Sequence, residues 1–440
     1  MRALIPTTAA LFLLAVAGAA SAQSASDSEL KQSIHSDFGA HLAAVFDDFH
    51  RHPELSGLET RTSARMAALL TELGYEVTPG VGGTGVVAIL RNGDGPTVMI
   101  RADMDGLPLQ EASGLANAST VRQVDSDGTE KPVMHACGHD VHITALVGTA
   151  RQMMNRKADW SGTLVLIVQP AEERIFGARA MVNDGLYSRF PKPDYALAFH
   201  VNAQMAEGQV SVPLGIHSSS SDGVEIVVHG VGTHGAYPHL GVDPVLVASS
   251  IVVNLQSLRS RTVNPLQGAV VTVGAIHGGI KNNIISDRVD MLLTVRADSP
   301  EVRTQLLDGI DRVSRGTAIA LGVPDTLLPT VTRSTLETTP ATINDGPTAQ
   351  RVRDAIAAAM GPNVLNDAPR AGMGAEDFAY FITPDSGVKG VYFDVGGTPA
   401  ADVATAAGHH SALFKIDAEP SVTTGVEAMT VSALALLAKP

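Results

Sequence analysis

The chain has 440 residues and a mass of 45.7 kDa, enough to bury more than one hydrophobic core, so we expect two domains. Hydrophobic residues make up 45% of it and charged residues 17%, a composition typical of a globular protein and not of a disordered one. The net charge of −14, with no stripe of basic residues to offset phosphate repulsion, argues against a nucleic-acid partner.

Residues 1–22 have the pattern of a secretory signal peptide. Arg2 gives a positive start, Ala9 to Ala17 is an apolar run, and Ala20-Ser21-Ala22 has the small residues of a cleavage site. No later segment has the ~20 consecutive apolar residues that a bilayer crossing requires. We therefore expect a periplasmic or secreted protein with no membrane segment in its mature form.

From residue 23 to residue 213, short apolar runs alternate with helical patterns. Strands are predicted at Val86 to Arg91, Thr97 to Arg101, Thr163 to Gln169 and Tyr195 to Phe199, and a helix at Val141 to Lys157. Strands that alternate with helices predict an α/β sheet covered on both faces.

The pattern changes between residues 214 and 331. Strand, helix, strand, strand, helix and strand follow in that order, the last strand being predicted at Thr326 to Arg333. The order βαββαβ is that of a ferredoxin-like sandwich. We predict a smaller lid domain at 214–331, inserted into a larger domain that resumes at 332–440.

Polar residues follow the predicted strands of the larger domain. Asp103 and Asp105 come after one strand, Glu172 and Glu173 after a second, and His200 ends a third. Open α/β sheets place their sites beyond the carboxyl ends of strands, so these residues are expected to converge on one crevice.

The single cysteine, Cys137, lies in the segment HACGHDVH at residues 135–142. Zinc and its first-row relatives bind sulfur, imidazole nitrogen and carboxylate oxygen, which this segment provides. A buried cysteine beside solvated histidines is the alternative interpretation. An exported thiol without a disulfide partner is open to oxidation, however, and metal ligation would protect it as a thiolate.

Together these residues supply what metal-dependent amide hydrolysis needs: a Lewis-acidic site and a base. The candidate ligands are Cys137, His139, Glu173, His200 and either His409 or His410. Glu172 need not bind metal and can act as the general base. Adjacent carboxylates at the end of an apolar strand are costly unless a cation compensates them, although adjacent glutamates are also common on surfaces.

An ordered series of segments from Phe49 to Lys415 resembles the aminoacylase, hippurate hydrolase and indole-3-acetyl-amino-acid hydrolase family. These are binuclear metallo-amidohydrolases related to glutamate carboxypeptidases. The segments are FHRHPELSG, RADMDGLPLQE, MHACGHDVH, QPAEE, AFHV, GTHGAYPH, KNNIISDRV, MGAEDFAYF and GHHSALF. The resemblance implies a mixed-sheet, metallopeptidase-like catalytic domain with an inserted lid. It also implies a pair of divalent metal ions per subunit, drawn from zinc, manganese, cobalt and nickel.

The resemblance assigns roles in the catalytic domain residue by residue. The implied metal ligands are Cys137, His139, Glu173, His200 and His410. His410 is favoured over His409 because the family's ligand directly precedes a small polar residue, here Ser411. Glu172 corresponds to the base, and Asp103 to the residue that orients a metal ligand. Asp140 and His142 are expected to support the ligands and the start of the following helix.

The resemblance also implies that four residues outside the ligand set act on the substrate. His234 in the lid would stabilise the oxyanion, and Asn283 and Arg296 would hold the substrate's carboxylate. Glu376 would bind substrate from a loop at the edge of the cleft. The structural alternatives are a solvent-facing turn for His234, a turn cap for Asn283, a salt bridge within the lid for Arg296 and an anchor of its loop for Glu376. The resemblance further suggests that lids can pair in a homodimer, in which His234 would act in the partner's site.

The chain departs from the family pattern at several positions. Thr233 and Ser286 replace a glycine and a proline in the lid, and Ala412 replaces a proline after Ser411. Arg174-Ile175-Phe176 replaces a glycine-rich stretch after the two glutamates, which places Phe176 close to the pocket. These departures leave the predicted ligands in place and affect the choice of substrate.

The sequence therefore predicts an exported, metal-dependent hydrolase of N-acyl amino acids, which it would split into a carboxylic acid and an amino acid. A carboxypeptidase or dipeptidase using the same centre is the nearest alternative. A non-catalytic periplasmic binding protein for metal or ligand is a second alternative, and a hydrolase with Cys137 as nucleophile is a third.

Overall fold

The structure is a computed structural model that describes residues 28–439. The predicted signal peptide at residues 1–22 lies outside the described residues. Within the described range, no helix combines the length and apolarity that spanning a membrane would take.

Helices and strands alternate along most of the chain. The helices cover residues 28–37 (α1), Ala43–Arg51 (α2), Thr60–Glu72 (α3), His139–Asn155 (α4), Gly177–Asn183 (α5), Leu186–Arg189 (α6), Pro244–Ser257 (α7), Pro300–Ala320 (α8), Gly346–Met360 (α9) and Ala418–Leu436 (α10). The strands cover Glu76–Val81 (β1), Gly85–Asn92 (β2), Thr97–Asp103 (β3), Arg122–Val124 (β4), Glu130–Pro132 (β5), Gly162–Gln169 (β6), Tyr195–Ala206 (β7), Val210–Ser211 (β8), Ile216–Ser218 (β9), Ser220–His229 (β10), Thr233–His234 (β11), Ala269–Gly278 (β12), Ile284–Ile285 (β13), Arg288–Ala297 (β14), Thr330–Thr339 (β15), Thr342–Ile343 (β16) and Lys389–Thr398 (β17).

The larger sheet has seven strands in the order β1-β2-β6-β3-β7-β17-β8. Strands β6, β3, β7 and β17 are parallel to one another, whereas β1, β2 and β8 pair antiparallel, so the sheet is mixed as predicted. Asp103 pairs with Gln169, and Arg101 pairs with Ala198. The carboxyl ends of these parallel strands therefore meet at one edge, where the candidate site lies.

Hydrophobic cores lie on both faces of this sheet because successive side chains of a strand point to opposite faces. Val86, Ala88 and Leu90 belong to the core that includes residues of α2, α4 and α10. Val87 and Ile89 belong to the opposite core, which includes residues of α5 and α6. The predicted covering of both faces is confirmed.

A second, four-stranded sheet has the order β12-β14-β10-β15 and buries one face against α7 and α8. Its elements follow the chain order strand, helix, strand, strand, helix, strand, as the sequence pattern indicates. The last strand runs over Thr330–Thr339, later than the predicted Thr326 to Arg333. The domain boundaries at residues 214 and 331 stay predictions, although the second falls inside β15.

Polar contacts attach the second sheet to the first. Arg370 binds both carboxylate oxygens of Asp298 at 2.6 and 2.7 Å. Arg179 donates to the main-chain carbonyls of Thr335 and Leu336 at 2.5 and 3.3 Å. The second sheet is therefore attached to the larger domain at β15 and just after β14, by side chains of that domain.

Candidate metal centre

The loop before α4 positions two of the predicted ligands. Gly138 separates Cys137 from His139, the first residue of α4, and has a left-handed backbone with φ +83°. A Cβ atom at this position would lie 2.3 Å from Cγ1 of Val201. Only glycine therefore allows this bend, and the bend lets α4 begin directly against β7.

The five predicted ligands come together at the carboxyl edge of the larger sheet. Ligand atoms of Cys137, His139 and His200 lie within 4.8 Å of one another, and so do those of Cys137, Glu173 and His410. The Sγ atom of Cys137 is 3.4 Å from Nε2 of His200. Cys137 thus belongs to both groups, and the residues of the two groups together would hold divalent cations.

A main-chain carbonyl fixes the orientation of the His139 ring. Its Nδ1 hydrogen-bonds the main-chain carbonyl of Asp105 at 2.8 Å. Its Nε2, which is buried, has no hydrogen-bond partner among the described residues. A second-layer carbonyl on one ring nitrogen typically fixes a metal-binding histidine with the other nitrogen facing the metal.

Asp103 contacts a different histidine from the one that Asp105 orients. Its Oδ1 lies 2.6 Å from Nδ1 of His142, and its Oδ2 accepts from Nη1 of Arg101 at 2.8 Å. Nε2 of His142 accepts from the main-chain N–H of Val201 at 2.9 Å. Both ring nitrogens of His142 are therefore in use, which leaves it a supporting residue. Asp103 also lies 3.5 Å from Nε2 of His139, so its role in orienting a ligand stays a prediction.

Asp105 is a supporting residue to which the sequence pattern assigns no role. Its carboxylate accepts from the main-chain N–H groups of Glu172 and Glu173, at 3.1 Å each, and from Ser56 Oγ at 2.6 Å. This single side chain fixes the backbone that carries both glutamates. Its position just after β3, beside Asp103, was the available signal.

His409 and His410 both lie near the ligand group but in different ways. Nε2 of His410 is 3.2 Å from Oε2 of Glu173, and its backbone has φ +61°. Nδ1 of His409 is 3.7 Å from Sγ of Cys137, while its Nε2 accepts from the main-chain N–H of Ala203 at 3.2 Å. The clustering with Cys137 and Glu173 is consistent with His410 as the ligand, and the choice between the two histidines stays a prediction.

Glu172 lies among other buried carboxylates. Burial, with the negative charges of Glu376 and Glu173, raises the pKa of Glu172 well above its usual value. A carboxylate oxygen of Glu172 lies within 4.8 Å of carboxylate oxygens of Glu376 and Asp377. The fully buried Arg101 binds Glu376 at 2.8 Å and Asp377 at 3.4 Å. A raised pKa suits a carboxylate that must take up and release a proton near neutral pH.

Glu376 was predicted to bind the substrate, but its carboxylate is occupied by protein donors. It is 4% exposed, and it accepts from Arg101 Nη2 at 2.8 Å, from Tyr392 Oη at 2.6 Å and from the N–H of Phe378 at 2.9 Å. The alternative foreseen for it, an anchor for its loop, fits this geometry. Its substrate-binding role stays a prediction.

The donor set fits divalent cations. Oε1 of Glu173, like Nε2 of His139, is buried without a hydrogen-bond partner among the described residues. Burial and the Glu173 charge raise the pKa of the Cys137 thiol, so a cation is needed to hold it as a thiolate. A nucleophilic cysteine would instead need a lowered pKa, which argues against the Cys137-nucleophile alternative.

The predicted lid residues lie apart from the ligand group. His234 is exposed, and among the described residues its ring contacts Ala236 N–H, at 3.0 Å, and Tyr237. Asn283 is also exposed and shares a shallow cavity of about 460 Å³ with His234. The structure therefore brings His234 and Asn283 close to each other, but it does not bring either of them close to the predicted metal ligands.

Arg296 is half-buried on β14. In the described part of the chain no carboxylate lies within salt-bridge distance of it; Asp222, whose charge acts on it, is bound by Arg303 at 2.7 and 2.8 Å. The alternative of a salt bridge within the lid is therefore not seen, and the guanidinium remains available for an anionic group.

Strained backbone is concentrated beside the ligands. Among the described non-glycine residues, positive φ occurs at Ala171 (49°), Ile175 (53°) and His410 (61°). Two of these flank the Glu172-Glu173 pair, and the third is a predicted ligand. Strain of this kind typically costs about 1–3 kcal/mol per residue and persists where the surrounding structure enforces it, often at functional sites.

Comparison with known proteins places this site in a recognised group. The model of peptidase family M20/M25/M40 matches residues 99–433. N-acetyl-L-cysteine deacetylase of Bacillus subtilis is 35% identical over 342 residues, which cover 78% of this chain and 77% of that protein. Hippurate hydrolase of Campylobacter jejuni is 34% identical over 346 residues, which cover 78% of this chain and 86% of the relative.

A solved structure shares the architecture. A dinuclear metal-binding peptidase of the M20 family from Bacillus subtilis superimposes with a TM-score of 0.74 at 28% identity. The match covers 92% of this chain and 99% of that one. The similarity therefore extends over the larger sheet and the second sheet alike.

Proposed function

The chain belongs to peptidase family M20/M25/M40, a family of hydrolases of amide and peptide bonds, and from this premise we propose that it is an exported N-acyl-amino-acid amidohydrolase. It would split a hippurate-like amide into a carboxylic acid and an amino acid. The observation that carries the proposal is the convergence of Cys137, His139, Glu173, His200 and His410 beside the buried Glu172. Similarity to a hippurate hydrolase and a deacetylase supports the substrate class.

The ligand residues would hold a pair of divalent metal ions, with Cys137 common to both groups. When bound, the ions supply Lewis acidity that polarises the amide carbonyl and makes a water molecule acidic enough to be deprotonated near neutral pH. Glu172 accepts the proton of the attacking water and then delivers it to the amine nitrogen as the C–N bond breaks. Asp105 holds Glu172 and Glu173 in place through their main-chain N–H groups.

The second sheet would supply the remaining substrate contacts. Arg296, which has no carboxylate partner in the described part of the chain, would bind the carboxylate of the amino-acid portion together with Asn283. His234 would donate a hydrogen bond to the oxyanion that forms at the amide carbon. Because His234 lies apart from the ligand group, a homodimer that inserts this histidine into the partner's site is part of the proposal.

Hydrolysis rates on a panel of N-acyl amino acids and dipeptides, with metal content measured on the same samples, test the proposal. We expect N-benzoylglycine and N-acetyl amino acids to be cleaved, with activity lost on chelation and restored by added divalent metal. Cys137→Ser should lose metal and activity together. Full activity in a metal-free sample would contradict the proposal.

A carboxypeptidase or dipeptidase is the second candidate, because the matching family is one of peptidases. Faster cleavage of dipeptides than of N-acyl amino acids in the same panel would favour it. A non-catalytic binding protein has no need of a buried carboxylate such as Glu172 beside its ligands, and the absence of turnover on every amide would be required to support it.

A further inference from the structure

The segment Arg174-Ile175-Phe176 follows the two glutamates in a tight turn. The N–H of Ile175 donates to the carbonyl of Glu172 at 2.6 Å, and the N–H of Phe176 donates to that of Ala171 at 3.3 Å. The chain thus doubles back on the residues that flank the proposed base. The main chain of Phe176 is therefore held against Ala171, the residue before Glu172.

The turn is anchored on both sides. Arg174 donates to Asp125 at 2.6 Å and to Ser126 at 2.9 Å, which ties it to the hairpin formed by β4 and β5. Ile175, a β-branched residue, has φ +53°. β-branched side chains rarely adopt this conformation, so the turn is enforced by its surroundings and is not a relaxed loop.

The ring of Phe176 faces outward where the two sheets meet. It is 44% exposed, a large apolar surface for an aromatic residue whose main chain lies in a hydrogen-bonded turn. The guanidinium of Arg179 lies 5.9 Å from its centre and 5.7 Å from that of Tyr380. The same guanidinium donates to the carbonyls of Thr335 and Leu336, on β15. The ring therefore lies beside the guanidinium that joins the larger domain to β15 of the second sheet.

We propose that Phe176 is a specificity-determining residue, an aromatic wall that selects amides whose acyl group is aryl or branched alkyl over those with acetyl. The inference rests on the proposed amidohydrolase function. A flat apolar acyl group packed on the ring buries surface of both partners, whereas an acetyl group is too small to cover it. Arg179 holds the ring in place from one face, so little side-chain freedom is lost on binding.

Phe176 would contact the acyl group of the substrate and not its amino-acid portion. The carboxylate of the amino-acid portion is assigned to Arg296, on β14 of the second sheet, and to Asn283, in the loop before β13. Phe176 belongs to the larger domain, and its main-chain N–H donates to the carbonyl of Ala171, the residue before Glu172. A substrate that spans the junction with its carboxylate on the second sheet therefore presents its acyl group to the larger domain.

Steady-state kinetics of Phe176→Ala and Phe176→Leu test the inference. The acyl pair is N-benzoylglycine and N-acetylglycine; the amino-acid pair is N-benzoylglycine and N-benzoyl-L-leucine. We expect Phe176→Ala to lower the benzoyl-to-acetyl ratio of kcat/KM by roughly tenfold, within the range for a lost apolar contact. Phe176→Leu should keep part of the preference, and the ratio for the amino-acid pair should stay unchanged.

Phe190→Ala is the matched control. Phe190 also lies under an arginine, Arg189 at 5.2 Å, but it precedes β7 at the opposite edge of the sheet. Its replacement should leave both ratios unchanged, and metal content and melting temperature should report intact folding of each variant.

The outcomes separate the two proposals. If the wild-type protein cleaves amides but Phe176→Ala retains its benzoyl-to-acetyl ratio, the specificity role is wrong and the proposed function stands. If the amino-acid ratio changes in place of the acyl ratio, the assignment of the wall to the acyl group is wrong. A wild-type protein that cleaves no amide in the panel overturns both.

Discussion

Glu172 and Glu173 are neighbours in the chain, yet their carboxylates have different surroundings. Glu173 has an oxygen without a hydrogen-bond partner in the described part of the chain, and it lies with Cys137 and His410. Glu172 lies beside Glu376 and Asp377, which Arg101 compensates. The first arrangement suits a ligand, and the second suits a group that exchanges a proton.

The two glutamates should therefore respond differently to the same substitution. Glu172→Gln keeps size and polarity but cannot accept a proton, so we expect metal to stay bound while kcat falls by roughly 10²- to 10⁴-fold. Glu173→Gln should lower metal occupancy. Metal analysis and turnover of both variants check this, and metal loss confined to Glu172→Gln would mean that the roles are reversed.

His50 forms a buried ion pair behind the ligand group. Its Nδ1 lies 2.7 Å from Asp140 and its Nε2 lies 3.3 Å from Glu111. Burial opposes the charge, but the two carboxylates outweigh it and raise the pKa of His50 to about 10. Because the folded pKa exceeds the unfolded value of about 6.5, the pair stabilises the fold fully below pH 6.5. That contribution is lost as the pH rises through 10.

We expect His50→Gln to lower the free energy of unfolding most at acidic to neutral pH. The loss at pH 6 should be on the order of 3 kcal/mol, since two buried carboxylates lose their partner. The difference from wild type should shrink steadily towards pH 10. Urea unfolding at several pH values measures it, with the exposed His239→Gln as control. A difference that is the same at pH 6 and pH 10 would contradict the ion-pair account.

The candidate ligands and part of their support could be predicted from the sequence, but the main-chain contacts could not. Glu173 and His200 are ligand-type side chains that follow or end strands, and Cys137 stands among ligand-type residues in one short segment. The contact that orients His139 comes from a main-chain carbonyl, which carries no residue signature. Arg101 could have indicated part of this support, because an arginine inside a buried strand requires buried carboxylates around it.

At the scale of elements, the short strands β11 and β13 form a ribbon that carries His234. It pairs Thr233 with Ile285 and His234 with Ile284, and exposed apolar side chains surround it, among them Tyr237, Leu240 and Ile280. Exposed apolar surface of this kind is a common feature of interfaces. This apolar surface agrees with the proposed homodimer, in which His234 of one subunit enters the metal site of the other.

Mixing two inactive variants tests that arrangement. His234→Ala should keep metal and fold but lose roughly 10²-fold or more in kcat, by analogy with other oxyanion donors. Equimolar His234→Ala and Glu172→Gln chains, after subunit exchange, should regain activity if His234 acts in the partner's site. Their failure to do so, with exchange confirmed by mass, would place the histidine in its own subunit's site.

Buried elements were predicted more accurately than exposed ones. β2, β3 and β6 are continuous apolar runs and appear close to their predicted bounds. β15 was placed too early because its residues are mostly exposed and polar, and its position is decided by pairing with β10. The pairing of distant strands is a tertiary effect that local composition does not carry.

At the scale of the whole molecule, the metal ligands join separate parts of the chain. Cys137 and His139 precede and begin α4, His200 lies on β7, and His410 lies in the loop before α10. A cation that binds this group favours the folded chain over the unfolded one by mass action. Stability of the larger domain should therefore depend on metal.

Chelation is expected to lower the melting temperature of the larger domain. Each site held at about 100-fold over its Kd contributes roughly 2.7 kcal/mol. Calorimetry of metal-loaded and chelated protein measures the shift, and Cys137→Ser should show little of it. An unchanged thermogram after verified metal removal would mean that the site contributes nothing to stability.

The attachment of the second sheet has a consequence for how related sequences can diverge. Arg179 donates hydrogen bonds to the main-chain carbonyl oxygens of Thr335 and Leu336 on β15, groups that every amino acid possesses. Substitutions of the side chains at these two positions therefore keep both acceptors. The side chains at these two positions can therefore change from one relative to another while the attachment of β15 to the larger domain is kept.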